Sequence, residues 1–431
     1  MRAMKDSGVE WIGEIPTSWG LKRLKFFANF NPETELPEYS DTDIVSFIPM
    51  DHLKAGFHNT AAIEFQKVKN GYVTFQDNDI LMAKVTPCLE NGNLAIAKDL
   101  IDGFGFGSTE INVIRCNDIN RQYLFYLLQC PGFIEKATYN MFGVAGLKRL
   151  EPRFIPDALF PIPTIEEQQI IVTFLNSKCA EIDALIAAKE KTNALLKAHR
   201  QSIIYEAVTK GFDPAARMKD SGVEWIGGVP EGWKIIALKR LGTLATGSTP
   251  PKDNPDYWDG DIPWVSSKDM KSDYLLDSED HITQAAVDKC GLTLFSPETL
   301  IFCVRSGILR HTFPVAVATL PVTINQDLRA LSLTRDVNPA FLLYYMRGMN
   351  DTIVTLYQKI GATVESIEMD WFLYFPVVLP PREEQDRIVE VLDSRCASLD
   401  QTVQQNEATV RQLKEYRQSL IYEAVTGKIE V

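Results

Sequence analysis

Histidine is scarce, five in 431 residues, and no two stand in an H-E-x-x-H or finger-like spacing, which argues against a structural or catalytic zinc. No C-x-x-C pair occurs. The cysteines, Cys88, Cys116, Cys130, Cys179, Cys290, Cys303 and Cys396, are odd in number, so reduced thiols are expected in place of a disulfide framework. Long apolar runs are missing: the longest, Phe313 to Val322, carries Pro314 and Pro321 and is too short to span a bilayer. The opening MRAMKDSGVEW lacks the apolar core of a secretory signal. A cytoplasmic chain without membrane contact is expected. Positive charge is also in deficit, 44 Lys and Arg against 57 Asp and Glu for a net charge of −13, which disfavours loose attachment to phosphate backbones or anionic lipids. Any nucleic-acid binding must therefore be local. What is present, 45% hydrophobic and 23% charged residues, is the composition of a folded globular protein. At roughly 100 to 200 residues per domain, two to four domains are expected.

The chain repeats itself. MKDSGVEWIG at Met4 to Gly13 returns unchanged at Met218 to Gly227, and the register continues through Pro16 and Pro230, Trp19 and Trp233, Leu24 and Leu238, and Lys25 and Lys239. RQSIIYEAVT at Arg200 to Thr209 answers RQSLIYEAVT at Arg417 to Thr426. Between these anchors the halves diverge, apart from the apolar helices Tyr123 to Leu128 and Phe341 to Met346. Six segments follow: repeat segment 1–20, variable domain 21–163, helical spacer 164–213, second repeat segment 214–233, variable domain 234–380 and second spacer 381–431.

Short runs of strand-forming residues between turn residues mark both variable domains as α+β with mixed sheets. They are Ile44 to Ile48, Tyr72 to Phe75, Ile80 to Val85, Leu94 to Ala97 and Ile111 to Ile114, then Ile262 to Val265, Leu300 to Val304, Val315 to Ala318 and Leu328 to Leu333. The spacers are helical. Leu175, Cys179, Ile182, Ile186, Lys189, Asn193, Leu196, Ile203 and Ala207 follow a three-four spacing without Gly or Pro, and Leu392, Cys396, Leu399, Val403, Asn406, Val410, Leu413, Leu420 and Ala424 repeat it. Pro163, Pro380 and Pro381 precede these helices, and Gly211 and Gly427 follow them.

Two similar halves tend to relate by a pseudo-twofold axis, which makes a central helix pair antiparallel, a coiled-coil rod. Residues 175 to 207, at about 1.5 Å each, span roughly 50 Å, more than the ~34 Å between DNA half-sites one turn apart. In that pairing Asn193 faces Asn406 and Cys179 faces Leu420. A buried Asn pair would fix the register. Equally compatible with the spacing are amides turned partly to solvent that specify nothing.

Four features together resemble the specificity subunit of type I restriction and modification systems. They are the W-I-G-x-(I/V)-P-x-x-W openings (Trp11 to Trp19, Trp225 to Trp233), ILMAKVTPCLENGNLAIA (Ile80 to Ala97), NPDYWDGDIPWVSSKDMK (Asn254 to Lys271) and the E-E-Q helix starts (Glu166 to Gln168, Glu383 to Gln385). Their duplicated order covers nearly the whole chain. The resemblance implies two target recognition domains, each reading one half of a split double-stranded DNA sequence, joined by helices that bind two methyltransferase subunits. It further implies a non-catalytic chain that binds no cofactor itself, S-adenosylmethionine on those partners for adenine methylation, and optional ATP-driven restriction subunits.

Three lookalikes need weighing. Phe104-Gly-Phe-Gly107 after Asp102 imitates an S-adenosylmethionine loop, but no Asn-Pro-Pro-aromatic motif occurs, so it is read as a turn leading to the Ile111 strand. Pro255-Asp256 with Asp269-Met-Lys271 imitates a nuclease Mg²⁺ site, but such short patterns arise by chance, and Ser266 to Lys268 fits an exposed loop. Around His52, His58 and Asp51, or Cys88 and Glu90, no catalytic order is evident.

Base edges are read by Arg, Lys, Asn and Gln, and phosphates are held by Lys, Arg, Ser, Thr and backbone N–H groups. On turns between strands the first domain offers Lys84, Thr86, Asn91 and Asn93 around Pro87, Ser108 and Thr109, and Lys148 and Arg149 after Gly146. The second offers Ser267, Lys268 and Lys271, then Arg305, Arg310 and His311, then Asn325 and Gln326, and finally Lys359 and Thr363 flanking Gly361. For each, an ordinary solvated loop residue is the alternative. The expectation is a DNA-recognition and scaffold subunit. Its rivals are a self-sufficient methyltransferase or nuclease, and a coiled-coil adaptor that binds only proteins.

Overall fold

A computed structural model of the chain describes residues 2–144, 146–359 and 363–431. It forms two compact units, one of Met1–Glu190 with Glu407–Val431 and one of Lys191–Asn406. These cut across the consecutive segments of the sequence, because each unit takes half of the first long helix (Ile165–Lys210) and half of the second (Arg382–Val425). Among the described residues no helix is long and apolar enough to cross a membrane.

The first unit is α+β. One four-stranded sheet runs Ala61–Glu64, Ile44–Ile48, Phe104–Gly107, Val73–Gln76, with the central pair parallel. A second, antiparallel, runs Ala28–Phe30, Ile111–Cys116, Ile80–Ala83, Leu94–Ile96. Phe104–Gly107 is therefore a paired strand and not the turn expected from sequence. Its glycines serve packing: a Cβ on Gly105 would stand 2.5 Å from the Phe75 ring, and one on Gly107 2.9 Å from it. The apolar helix Arg121–Leu128, capped by the Asn120 side chain, packs with Trp19, Phe133 and Phe160 in the largest core.

The second unit repeats the plan with different strands. Its five-stranded sheet runs Gly242–Thr246, Leu328–Leu333, Leu300–Cys303, Val315–Ala318, Tyr274–Leu275, beside a three-stranded sheet centred on Trp258–Val265. Pro339–Gly348, capped by Asn338, is the counterpart of the first unit's apolar helix.

The repeated tryptophans and E-E-Q runs now have a reason. Glu167 accepts Trp19 Nε1–H at 3.4 Å, and Glu384 accepts Trp233 Nε1–H at 3.0 Å. Gln168, buried, accepts the Asn120 N–H at 2.8 Å and donates to Pro163 O; Gln385 does the same with Asn338 and Pro380. Each glutamine thus ties the start of a long helix to the cap of its domain's apolar helix.

Within each unit the long helices run antiparallel. In the first, Asp183 pairs with Arg417 at 3.0 Å and Glu190 with Lys414 at 3.2 Å; in the second, Arg200 pairs with Asp400 at 3.1 Å. Leu175, Cys179, Ile182, Ile186 and Leu420 are buried in the first unit, with Leu413 partly so. In the second, Leu392 and Val403 are buried, while Leu196 and Leu399 are half-buried. Asn193 and Asn406 are 7% and 6% exposed, and the Asn406 amide donates to Asn193 Oδ1 at 2.9 Å. One position needs correction: Ile203 is only half-buried, and Ile204 beside it is fully buried. An α-helix drifts about 20° per heptad, which carries the buried line one residue onward by this point.

Candidate nucleic-acid interface

In the first unit a hairpin of Met141–Val144 and Leu147–Leu150 follows the helix Pro131–Tyr139 and lies along the chain that leaves Ile80–Ala83. It is fastened by its backbone. Thr86 N–H donates to Lys148 O at 3.1 Å, Lys148 N–H to Thr86 Oγ1 at 2.9 Å, and Leu150 N–H to Lys84 O at 2.8 Å. Thr86 Oγ1 also donates to Gly146 O. Lys84, Thr86, Lys148 and Arg149 are thereby gathered in one place, with Ser108 and Thr109 just before the strand Ile111–Cys116. Lys84 N–H reaches Glu110 O at 3.0 Å and ties that strand's start to the group. Asn91 and Asn93 occupy the turn after Pro87, where Asn91 N–H donates to Pro87 O and Asn93 N–H to Cys88 O. The face is rimmed by exposed apolar side chains, Phe142 at 61% and Leu147 at 49%.

The second unit builds the same junction from other residues. The chain after Leu300–Cys303 forms a short helical turn, Gly307–Arg310, and bridges the segment before the helix Met369–Phe372. Ser306 N–H donates to Glu365 O at 3.0 Å and Ile367 N–H to Val304 O at 2.8 Å. Arg305, Arg310, His311 and Lys359 are exposed here, with Thr363 in an exposed bend. Gly361 lies outside the described residues. A second group adjoins it: Val304 N–H donates to Asp327 O and Asn325 N–H to Val265 O, so the turn that carries Gln326 lies next to both the chain after Leu300–Cys303 and the strand that leads into the Ser267 to Lys271 loop.

Two loop expectations are corrected. Ser266 is 7% exposed and its N–H and hydroxyl both donate to Asp269, whose second oxygen accepts Glu279 N–H. Asp269 therefore closes a loop, with Lys271 turned to Glu279. Asn325, placed among the base readers, is 6% exposed and its Oδ1 accepts Asp327 N–H. Its side chain folds a turn. Ser267, half-buried, and Gln326, exposed, stay at the surface.

Most cations at these junctions already have a carboxylate partner. Arg149 Nε and Nη2 donate to the two oxygens of Glu110 at 3.0 and 2.6 Å, and Arg310 donates to Glu365. Lys268 contacts Glu279 and Asp280, and Lys359 stands 3.7 Å from Glu368. Glu110 is held below the ordinary glutamate range by the Arg149 hydrogen bonds against some desolvation. Glu365 is lowered by a backbone hydrogen bond and then by Arg310. The sequence search missed both glutamates. Both are acids on a face otherwise rich in donors, and nothing local in an isolated acid announces that it will hold an arginine.

Comparison with known proteins places this arrangement. The family profile "Type I restriction modification DNA specificity domain" matches twice, over residues 16–197 and 230–411, and the chain belongs to that family. Among individual relatives, the type I restriction enzyme EcoAI specificity subunit of Escherichia coli is 34% identical over 44% of this chain; the match spans 32% of that protein, under a third of its length. The EcoR124I/EcoR124II specificity subunit of Escherichia coli is 27% identical over 78% of this chain and 80% of its own. The fold is shared with a chain from a structure on complex assembly and conformational transition of the type I R-M system, with TM-score 0.75 and 18% identity over 96% of this chain and 99% of that one.

Proposed function

We propose that the chain is the DNA sequence-recognition subunit of a type I restriction and modification complex, reads a bipartite target through its two domains, and scaffolds methyltransferase and restriction subunits. The chain itself is not catalytic; S-adenosylmethionine and ATP chemistry belong to the partners. One observation carries this reading: the same backbone junction is built twice, with unlike side chains presented at it and nearly identical joining elements around it. Two half-sites of different sequence require that contrast, and neither a nuclease nor a protein-only adaptor does.

The number of methyltransferase subunits is proposed as two. Glu10 and Glu224 stand at equivalent places in the MKDSGVEWIG repeats and are exposed in both copies, as are Ser202 and Ser419 on the helices. Packing gives no reason for exposed side chains to match, whereas two copies of one partner would. The carboxylates that occupy the junction cations, with the net charge of −13, further support weak binding of DNA by the lone chain and tight binding only in the complex.

Methylation mapping of DNA from cells that express the complex tests the reading. A split asymmetric motif with one adenine modified on each strand is expected, and exchange of residues 21 to 160 for those of a relative should change one half of it. Change in both halves, or in neither, refutes the assignment. Nanomolar specific binding by the isolated chain, compared with the complex at one salt concentration, would defeat the claim of weak binding.

A further inference from the structure

The Arg149 and Glu110 pair has no evident structural task. The hairpin is already fastened to Lys84 and Thr86 through backbone groups. An ion pair whose side chains are 51% and 24% exposed contributes little to stability. A carboxylate on a face that meets phosphates is also unfavourable unless something else requires it. The pair is close to neutral, which removes most of its value as a phosphate contact but none of its directional hydrogen bonding. Glu110 occupies the Nε and Nη2 edge of the guanidinium. The terminal edge, Nη1 with the second Nη2 proton, has no partner among the described residues, and this is the donor pair that matches O6 and N7 of guanine.

The second unit carries the same device with its parts exchanged. In the first, the hairpin supplies the arginine and the turn before Ile111–Cys116 the acid; in the second, the short helical turn Gly307–Arg310 supplies the arginine and the segment before Met369–Phe372 supplies Glu365. Arg310 is 68% exposed and donates through Nε, which leaves both Nη groups without a partner among the described residues, while Glu365 is 17% exposed. Backbone bonds again fasten the segment without the ion pair.

We propose that Arg149 and Arg310 each read a guanine in their own half-site, and that Glu110 and Glu365 are positioning residues that hold the guanidinium edge-on to the base. This rests on the proposed role in DNA recognition. It names one specificity-determining residue per domain.

The test uses the complex of the full chain with its methyltransferase subunits, on duplexes that vary one target base at a time. Arg149→Ala combined with Glu110→Gln, which removes both charges together, should lower discrimination at a single guanine position of one half-site by about 5- to 150-fold, with the other half and the salt slope unchanged. Arg149→Lys keeps the charge but not the fork and should lose as much. Glu110→Gln should give a smaller loss at that same position, and Glu365→Gln the equivalent in the other half. Uniform weakening across all sequences with a salt slope flatter by about one would make Arg149 a phosphate contact and overturn the proposal. So would unchanged base preference in Arg149→Lys of wild-type thermal stability. If the wild-type complex itself shows no split target, the recognition reading fails; if it does and the variants read it unchanged, only this assignment fails.

Discussion

Asp79 offers a sharp test of how the first unit is held together. It is 1% exposed; its oxygens accept Arg115 Nε at 2.9 Å, Arg115 Nη2 at 2.7 Å and the Gln76 N–H at 2.9 Å. Asp79→Ala leaves a guanidinium that is 21% exposed without its counter-charge and a backbone N–H without its acceptor. Breaking a buried pair from one side costs about 3 to 5 kcal/mol. The partial exposure of Arg115 and its remaining bond to Thr34 Oγ1 at 3.0 Å place the loss near the lower end, about 3 kcal/mol. For a unit of this size that lowers Tm by roughly 6 to 12 °C. Replacing both partners, Asp79→Ala with Arg115→Met, removes the stranded charge and should recover at least half of the fall. Thermal unfolding of the purified variants decides. A fall below about 3 °C for the single variant, or a double variant as unstable as the sum of the singles, would refute the reasoning.

Other outcomes follow from the same structure. Asn193→Leu with Asn406→Leu exchanges a buried polar layer for an apolar one, so Tm should rise by a few degrees while the complex becomes more tolerant of altered target spacers; an unchanged spacer preference removes the register role. Gly105→Val sets a side chain into the Phe75 ring and should destabilise the first unit by about 1 to 3 kcal/mol in denaturant unfolding. Burial pushes the Cys116 thiol up to about 12 and the Cys303 thiol up to about 11. Both should therefore resist iodoacetamide at pH 8 in the native state and react on unfolding, as read by mass spectrometry. Because Glu110 is lowered by Arg149, the stability it lends is present above the ordinary glutamate value and lost as pH falls through the lowered one. Hydrogen exchange of the Leu147–Leu150 strand should then differ slightly between Glu110→Gln and the parent chain above the ordinary glutamate range, and that small difference should shrink as pH falls below it.

The duplicated frame was legible because it rests on local rules. Identical anchors fix the repeat, three-four spacing fixes the helices, and Pro163, Pro380, Gly211 and Gly427 punctuate them. Gly211 and Gly427 do sit at φ of +71° and +74°, where a side chain would be strained. Residues whose role depends on distant partners were not legible. Phe104–Gly107 reads as a turn because two glycines in four residues depress strand propensity, and only the Phe75 ring, brought in by pairing, accounts for them. Asn325 has the right chemistry for a base reader, but Asp327 uses its acceptor from two residues away. Glu110 and Glu365 carry no local mark; their meaning arises when two elements, 39 and 55 residues apart in the chain, meet.

The division of the units also orders events in time. The second unit, Lys191–Asn406, is one uninterrupted piece of chain, while the first is finished only by Glu407–Val431. Tyr123 donates to Val425 O, and Leu420, Ile421 and Ala424 fill the first unit's core. During synthesis the second unit can close before the ribosome has made the residues that complete the first. A stop codon just after position 406 should accordingly spare the later-encoded half and leave the earlier one open.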